Sequence, residues 1–157
     1  LSFELVILFK TQNSKLKLGE TMTLAVRVIA PGKTIWDGSA EEVILPSTTG
    51  QLGVLSGHAP LLTALETGVM RVRADKAWTP LVLTGGFAEV DADEVTVLVN
   101  FGERGDAIDQ QEARTTFAEA EARLTKSQQS NDKQEQLQAS QAYKRARARL
   151  QASGGTV

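Results

Sequence analysis

The chain has 157 residues, a formal net charge of −2, one histidine and no cysteine. That length suits one ordinary domain or a small domain with an appendage, and the near-balance of charge gives no whole-chain attraction to nucleic acid or anionic lipid. The missing cysteines exclude disulfides and thiolate chemistry, and a lone histidine excludes a multi-histidine metal site.

The first apolar run, FELVILF at 3–9, is broken by Glu4 and falls far short of the ~20 residues that cross a bilayer. It has no basic stretch before it and no small-residue cleavage site after it, so it makes a poor signal peptide. Residues 1–21 read as a leader or a frayed extension, with Met22 as the natural start. From Thr23 to about Phe101 the apolar residues alternate or come in short runs: Leu24, Val26 and Val28 against Ala25 and Arg27, then EEVIL, GVMRVR, PLVLTGGFAEV and EVTVLVN. Turn-forming APGK, WDGS, PSTTGQ, RADKAW and DADE separate them. Many short strands with frequent turns predict an all-β sandwich over 22–105.

Composition changes after FGERGDAID. No Gly or Pro occurs from Gln110 until Gly154. Ala113, Phe117, Ala120 and Leu124 fall on one helical face; SQQSND interrupts, offering Ser130, Asn131 or Asp132 as a cap; then Ala139, Ala142, Ala146 and Leu150 form a second stripe, with Tyr143 beside it, until SGGTV ends the helix. The fold class is therefore α+β by segregated domains, a β-sandwich followed by an antiparallel two-helix hairpin within 106–157. The stripe is mostly alanine. A buried methyl contributes about 0.8 kcal/mol against about 1.5–3 for a leucine, so the hairpin is expected to be held weakly enough for a partner to displace it.

The stretch Thr48–Gly68 is cut by Gly50, Gly53, Gly57 and Pro60 yet rich in leucine, and it holds His58. Ser56 or Asp75 could complete a nucleophilic triad with His58, but a lone histidine beside glycine and proline reads better as a turn contact. TGGFAE lacks the Gly-Lys-Ser/Thr of a phosphate loop, and Gly85 and Gly86 read as a tight turn or bulge. Trp36 and Trp78 flank turns and read as core anchors, with interface use the alternative. No catalytic residue, metal or cofactor is expected. In the second helix, Asp132 and Glu135 near the start and Lys144, Arg145, Arg147 and Arg149 near the end complement the helix dipole. Four cations in six residues exceed that need and flank the alanine stripe, as a partner-binding helix would require.

VRVIAPGKTIWDGSAEEVILPSTTGQLGVLSGHAPLLTALETGVMRVR, followed by GGFAEV, EVTVLVN and IDQQEAR, resembles the epsilon subunit of F-type ATP synthase. The resemblance spans Met22 to about Ala152, and IDQQEA and RARARLQA are most similar to the chloroplast and cyanobacterial branch. It implies a non-catalytic subunit of the rotating central stalk, peripheral on a thylakoid or plasma membrane at its cytoplasmic or stromal face. The sandwich would couple rotation between the c-ring and the catalytic head. The hairpin would fold against the sandwich, or extend along gamma and restrain ATP hydrolysis. The implied contacts with gamma and the c-ring are Gln51, Leu52, Gly53 and His58, with Leu62 and Leu65 filling the core. Those with the beta subunit, and alpha as a second candidate, are Lys144, Arg145, Arg147 and Arg149. Some relatives bind ATP through a motif Ile/Leu-Asp-x-x-Arg-Ala. Ile108, Asp109 and Ala113 remain of it here, but Glu112 stands at the arginine, and its charge would repel phosphates. Two further readings are a β-sandwich protein-binding module with a helical oligomerisation tail, and a hydrolase using His58.

Overall fold

A computed structural model describes residues 22–157, so the leader reading of 1–21 lies outside the described residues. The elements are β1 (Leu24–Ala30), β2 (Lys33–Ala40), β3 (Glu42–Ser47), β4 (Gly50–Leu55), β5 (Leu61–Leu65), β6 (Gly68–Ala74), β7 (Ala77–Leu83), β8 (Gly86–Asp91), β9 (Glu94–Val99), β10 (Gly102–Arg104), a 3-10 turn (Gly105–Ala107), α1 (Gln110–Gln128) and α2 (Lys133–Ala152). The alternation in β1 becomes geometry: Leu24, Val26 and Val28 are fully buried while Ala25 and Arg27 face solvent.

The strands follow the path β10-β7-β6-β3-β5-β8-β9-β1-β2, with β4 on the free side of β3. The path folds into two layers that meet where Ser47 of β3 pairs with Leu65 of β5. All pairs are antiparallel except β1 with β9. Between the layers lie Leu24, Val43, Leu45, Val54, Met70, Val72, Leu81, Leu83, Val95 and Val97, all inaccessible to solvent. Two-residue turns close β6–β7 at Asp75–Lys76 and β8–β9 at Ala92–Asp93, all four residues at positive φ. A side chain at Gly86 would overlap the Leu98 carbonyl, so the GG pair marks a close backbone approach. Trp36 packs against the core as expected, whereas Trp78 is 44% exposed, with the Arg73 guanidinium 5.6 Å from its ring centroid.

The hairpin forms as the residue pattern requires. Asp109 caps α1 by accepting from Glu112 N at 3.0 Å, and Asp132 caps α2 by accepting from Gln134 N and Glu135 N. Gly154, at φ +91, ends α2, and Gly155 N donates back to the Leu150 carbonyl at 2.9 Å. Strand β7 carries both halves of the molecule: Leu81 and Leu83 point into the sandwich, while Val82 between them points outward against the arm. On that outer face Val82 meets Ile108, Ala113, Ala148, Leu150 and Ala152, with Val69 and Phe117 alongside. Helix α2 lies against β6, β7 and the 3-10 turn, and α1 lies against α2.

Candidate docking surfaces and a helical latch

The segment around His58 is not one loop. Gly50–Leu55 is an edge strand paired to β3 alone, and only Val54 of it enters the core. Gln51 and Gly53 are exposed and Leu52 is half-buried against the core. Beyond the strand, His58 N donates to the Leu55 carbonyl at 3.1 Å, closing a turn with Gly57 at φ +84. The four sequence-predicted contacts therefore occupy one edge strand and the turn that follows it. His58 Nδ1 lies 2.6 Å from the Ala59 carbonyl. A carbonyl only accepts, so Nδ1 carries a proton, and Nε2 is the ring nitrogen left without a partner among the described residues. Ser56 Oγ donates to Asp93, not to His58, and Asp75 sits in the β6–β7 turn. The triad needed for a hydrolase is not assembled.

Leu65 fills the core as expected, but Leu62 does not: it is 71% exposed. In β5 it pairs with Glu89 of β8 and points away from the other layer. Phe87, paired with Leu98 of β9, stands on the same outer face, and both are more than half exposed. This apolar face was not read from the sequence, because an outward leucine inside an apolar run carries no signal distinguishing it from a core residue.

The four cations of α2 divide. Lys144 and Arg147 are exposed and have no ion-pair partner among the described residues. Arg145 lays its guanidinium 4.2 Å from the Phe101 ring centroid. Arg149 is committed within the chain: Nε and Nη2 donate to both carboxylate oxygens of Glu103 on β10 at 3.0 and 3.3 Å, and Nη1 donates to Glu112 of α1 at 3.1 Å. The Glu103 hydrogen bonds first, and then Glu112, hold the Arg149 guanidinium above its usual range. Arg149, and next Thr116, hold the Glu112 carboxyl below the usual carboxylate range.

The remnant of the nucleotide motif has other work. Ile108 and Ala113 are buried in the seam between arm and sandwich, and Asp109 caps α1. Glu112, at the position where the resemblance leads one to expect arginine, instead pairs with Arg149 of α2 at 3.0 Å. The Arg-Gly-Asp tripeptide is closed on itself, with Arg104 gripping Asp106 at 2.9–3.1 Å.

Comparison with known proteins agrees with this architecture. The β-sandwich domain of the ATP synthase delta/epsilon chain matches residues 23–105, and the long α-helix domain of the same chain matches 106–154. The ATP synthase epsilon chains of Cyanothece sp. and Thermosynechococcus vestitus are each 65% identical over 136 residues, covering 87% of this chain and 99% of each relative. That of Synechococcus sp. is 66% identical over the same shares. Among solved structures, a chain of the Euglena gracilis mitochondrial ATP synthase OSCP/F1/c-ring assembly superposes with a TM-score of 0.71 at 21% identity, covering 84% of this chain and 81% of that one; it supports the fold alone. With both domains of the family matched and about two thirds of the aligned residues identical to those of its relatives, the chain belongs to the ATP synthase epsilon-chain family.

Proposed function

We propose that this chain is a non-catalytic, regulatory and coupling subunit of a proton-translocating ATP synthase. The sandwich joins the rotor, and the hairpin is a brake on ATP hydrolysis. Among the described residues no helix is long and apolar enough to cross a membrane, so attachment to the thylakoid membrane runs through the complex. The exposed edge strand and turn bearing Gln51, Leu52, Gly53 and His58 meet the c-ring. The outer face with Leu62, Phe87 and Leu98 suits gamma, because apolar side chains this exposed favour a partner. The carrying observation is the make-up of the arm's seam. Of the residues buried in the two helices, only Leu150 is larger than serine; the others are Ala113, Ala120, Ser127, Ala139, Ala146, Ala148 and Ala152. Such a seam can part without exposing a large apolar core. An oligomerisation tail is disfavoured, since the alanine stripes are already spent within the chain.

The inhibitory contact with the beta subunit rests on Lys144 and Arg147, which have no ion-pair partner among the described residues in the folded arm. Arg149 can join them only after leaving Glu103 and Glu112. The test is ATP hydrolysis by the enzyme reassembled with the subunit cut after Asp106, with the Lys144→Ala/Arg147→Ala pair, and with the intact chain. Both altered forms should raise hydrolysis severalfold, with synthesis retained by the truncated form. Unchanged hydrolysis with the altered subunit still bound would overturn the reading.

A further inference from the structure

We infer that Asp93 is a positioning residue for the Ser56–His58 turn and sets the shape in which that turn docks; this rests on the rotor-docking reading of the His58 edge. The two oxygens of its carboxylate divide between two donors in the turn. Oδ1 accepts from Gly57 N at 2.7 Å and Oδ2 from Ser56 Oγ at 3.0 Å. The donors are 36 and 37 residues away in sequence, so the bonds tie separate parts of the sandwich together. The central peptide of the turn is thus gripped from one side, and His58, the turn's last residue, is aimed by it.

The gripping residue is itself anchored. Asp93 holds φ +63 in the β8–β9 turn, between the paired Asp91 and Glu94. Its own carbonyl accepts from Ala25 N of β1 at 2.8 Å. Without the carboxylate, a turn holding Gly57 and bounded by an edge strand has little to fix it: Leu55, Gly57, Ala59 and Pro60 are all exposed. Glycine leaves the backbone free to turn either way. His58 Nδ1 is engaged by the Ala59 carbonyl, so Nε2 is the ring nitrogen left for the rotor, and its alignment depends on the turn being held.

The test uses the full chain and a complex of gamma with the c-ring. Asp93→Ala removes both acceptors. Asp93→Asn tolerates the same backbone but keeps one acceptor oxygen. Amide exchange at Gly57 and His58 is read by NMR, with β1 and β9 amides as the control for folding, and dissociation from the complex is timed. Hydrogen bonds to a carboxylate are strong enough that Asp93→Ala should speed both Gly57 exchange and dissociation roughly tenfold or more. Asp93→Asn should fall between it and the parent, with β1 and β9 unchanged. If Gly57 exchange is unmoved, or rises while dissociation does not, the inference fails. His58→Ala separates the two levels. Weaker binding for His58→Ala alone leaves the docking edge standing and removes Asp93 from it; no effect from either variant overturns the docking edge and the inference together.

Discussion

A guanidinium carries five donors in a fixed fork, so one arginine can serve two carboxylates at once. Arg149 does this between Glu103 of the sandwich and Glu112 of α1, with its own side chain only 17% exposed and that of Glu103 21%. The Arg123–Glu135 pair between the helices is about twice as exposed, and such pairs contribute roughly 0–1 kcal/mol. The sheltered bidentate pair is therefore the one that matters for holding the arm. Glu103→Gln should shift the arm toward release by about 1–2 kcal/mol, or roughly tenfold, because it removes a charge-assisted bond that is only partly screened. A dye pair on α2 and β10 reads the separation, and an unchanged docked fraction would reject Arg149 as a latch. The pH behaviour follows from Glu112, whose carboxyl is held below its ordinary 4.5 by Arg149. A depressed carboxylate contributes stability above its unfolded value and loses it as pH falls through the folded one. Closure of α1 on α2 should thus be flat from neutrality down to about that ordinary value and weaken below it, less steeply in Glu112→Gln. The sequence displayed Arg149 as one of four similar cations. Its partners lie 46 and 37 residues away, and pattern along a chain does not report pairings at that distance.

The elements that were legible are those with one buried face. Strands β1, β8 and β9 alternate cleanly because one side meets the core and the other faces out. Strand β4 escaped because glycines break its pattern and a single valine enters the core. In α2 the stripe Ala139, Ala146, Leu150 was visible, but Ala148 and Ala152 were not read as buried, since a one-stripe reading assumes one packed face. Helix α2 has two, one toward α1 and one toward β6–β7. The second face ends on the 3-10 turn, where a methyl at Gly105 would overlap the Ala152 carbonyl and the Pro80 ring. Neither obstacle can rotate aside, so the last turn of α2 must lift. Overpacking of this kind costs about 1–3 kcal/mol. Gly105→Ala should accordingly favour the released arm and lower ATP hydrolysis by the assembled enzyme, with strand amides of the isolated chain unaffected. Hydrolysis equal to that of the parent would mean that this contact does not govern docking.

At the scale of the whole molecule the buried residues fall into two clusters, one inside the sandwich and one between sandwich and arm. They meet through the two faces of β7 and of its neighbour β6. The first holds large side chains from nearly every strand, while the second is far smaller: Val82, Ile108 and Leu150 with three alanines, and Val69 and Phe117 alongside. A domain's net stability is about 5–15 kcal/mol, and regions with few large buried groups open first. The arm should therefore come away in a sub-global step that leaves the sandwich folded, which is the physical condition for a brake that moves. Hydrogen exchange of the isolated chain, followed as denaturant is raised from zero, can see this step. Amides of α1 and α2 should exchange at least about a hundredfold faster than those of β1 and β9 near zero denaturant, with a small denaturant dependence, because local opening exposes little surface. The arm's advantage should grow with salt, since screening loosens the Arg149 pairs and leaves apolar packing in place. Should the helix amides instead share one free energy and one slope with the strands, arm and sandwich would be a single cooperative unit, and the hairpin could leave its seat only by unfolding the sandwich.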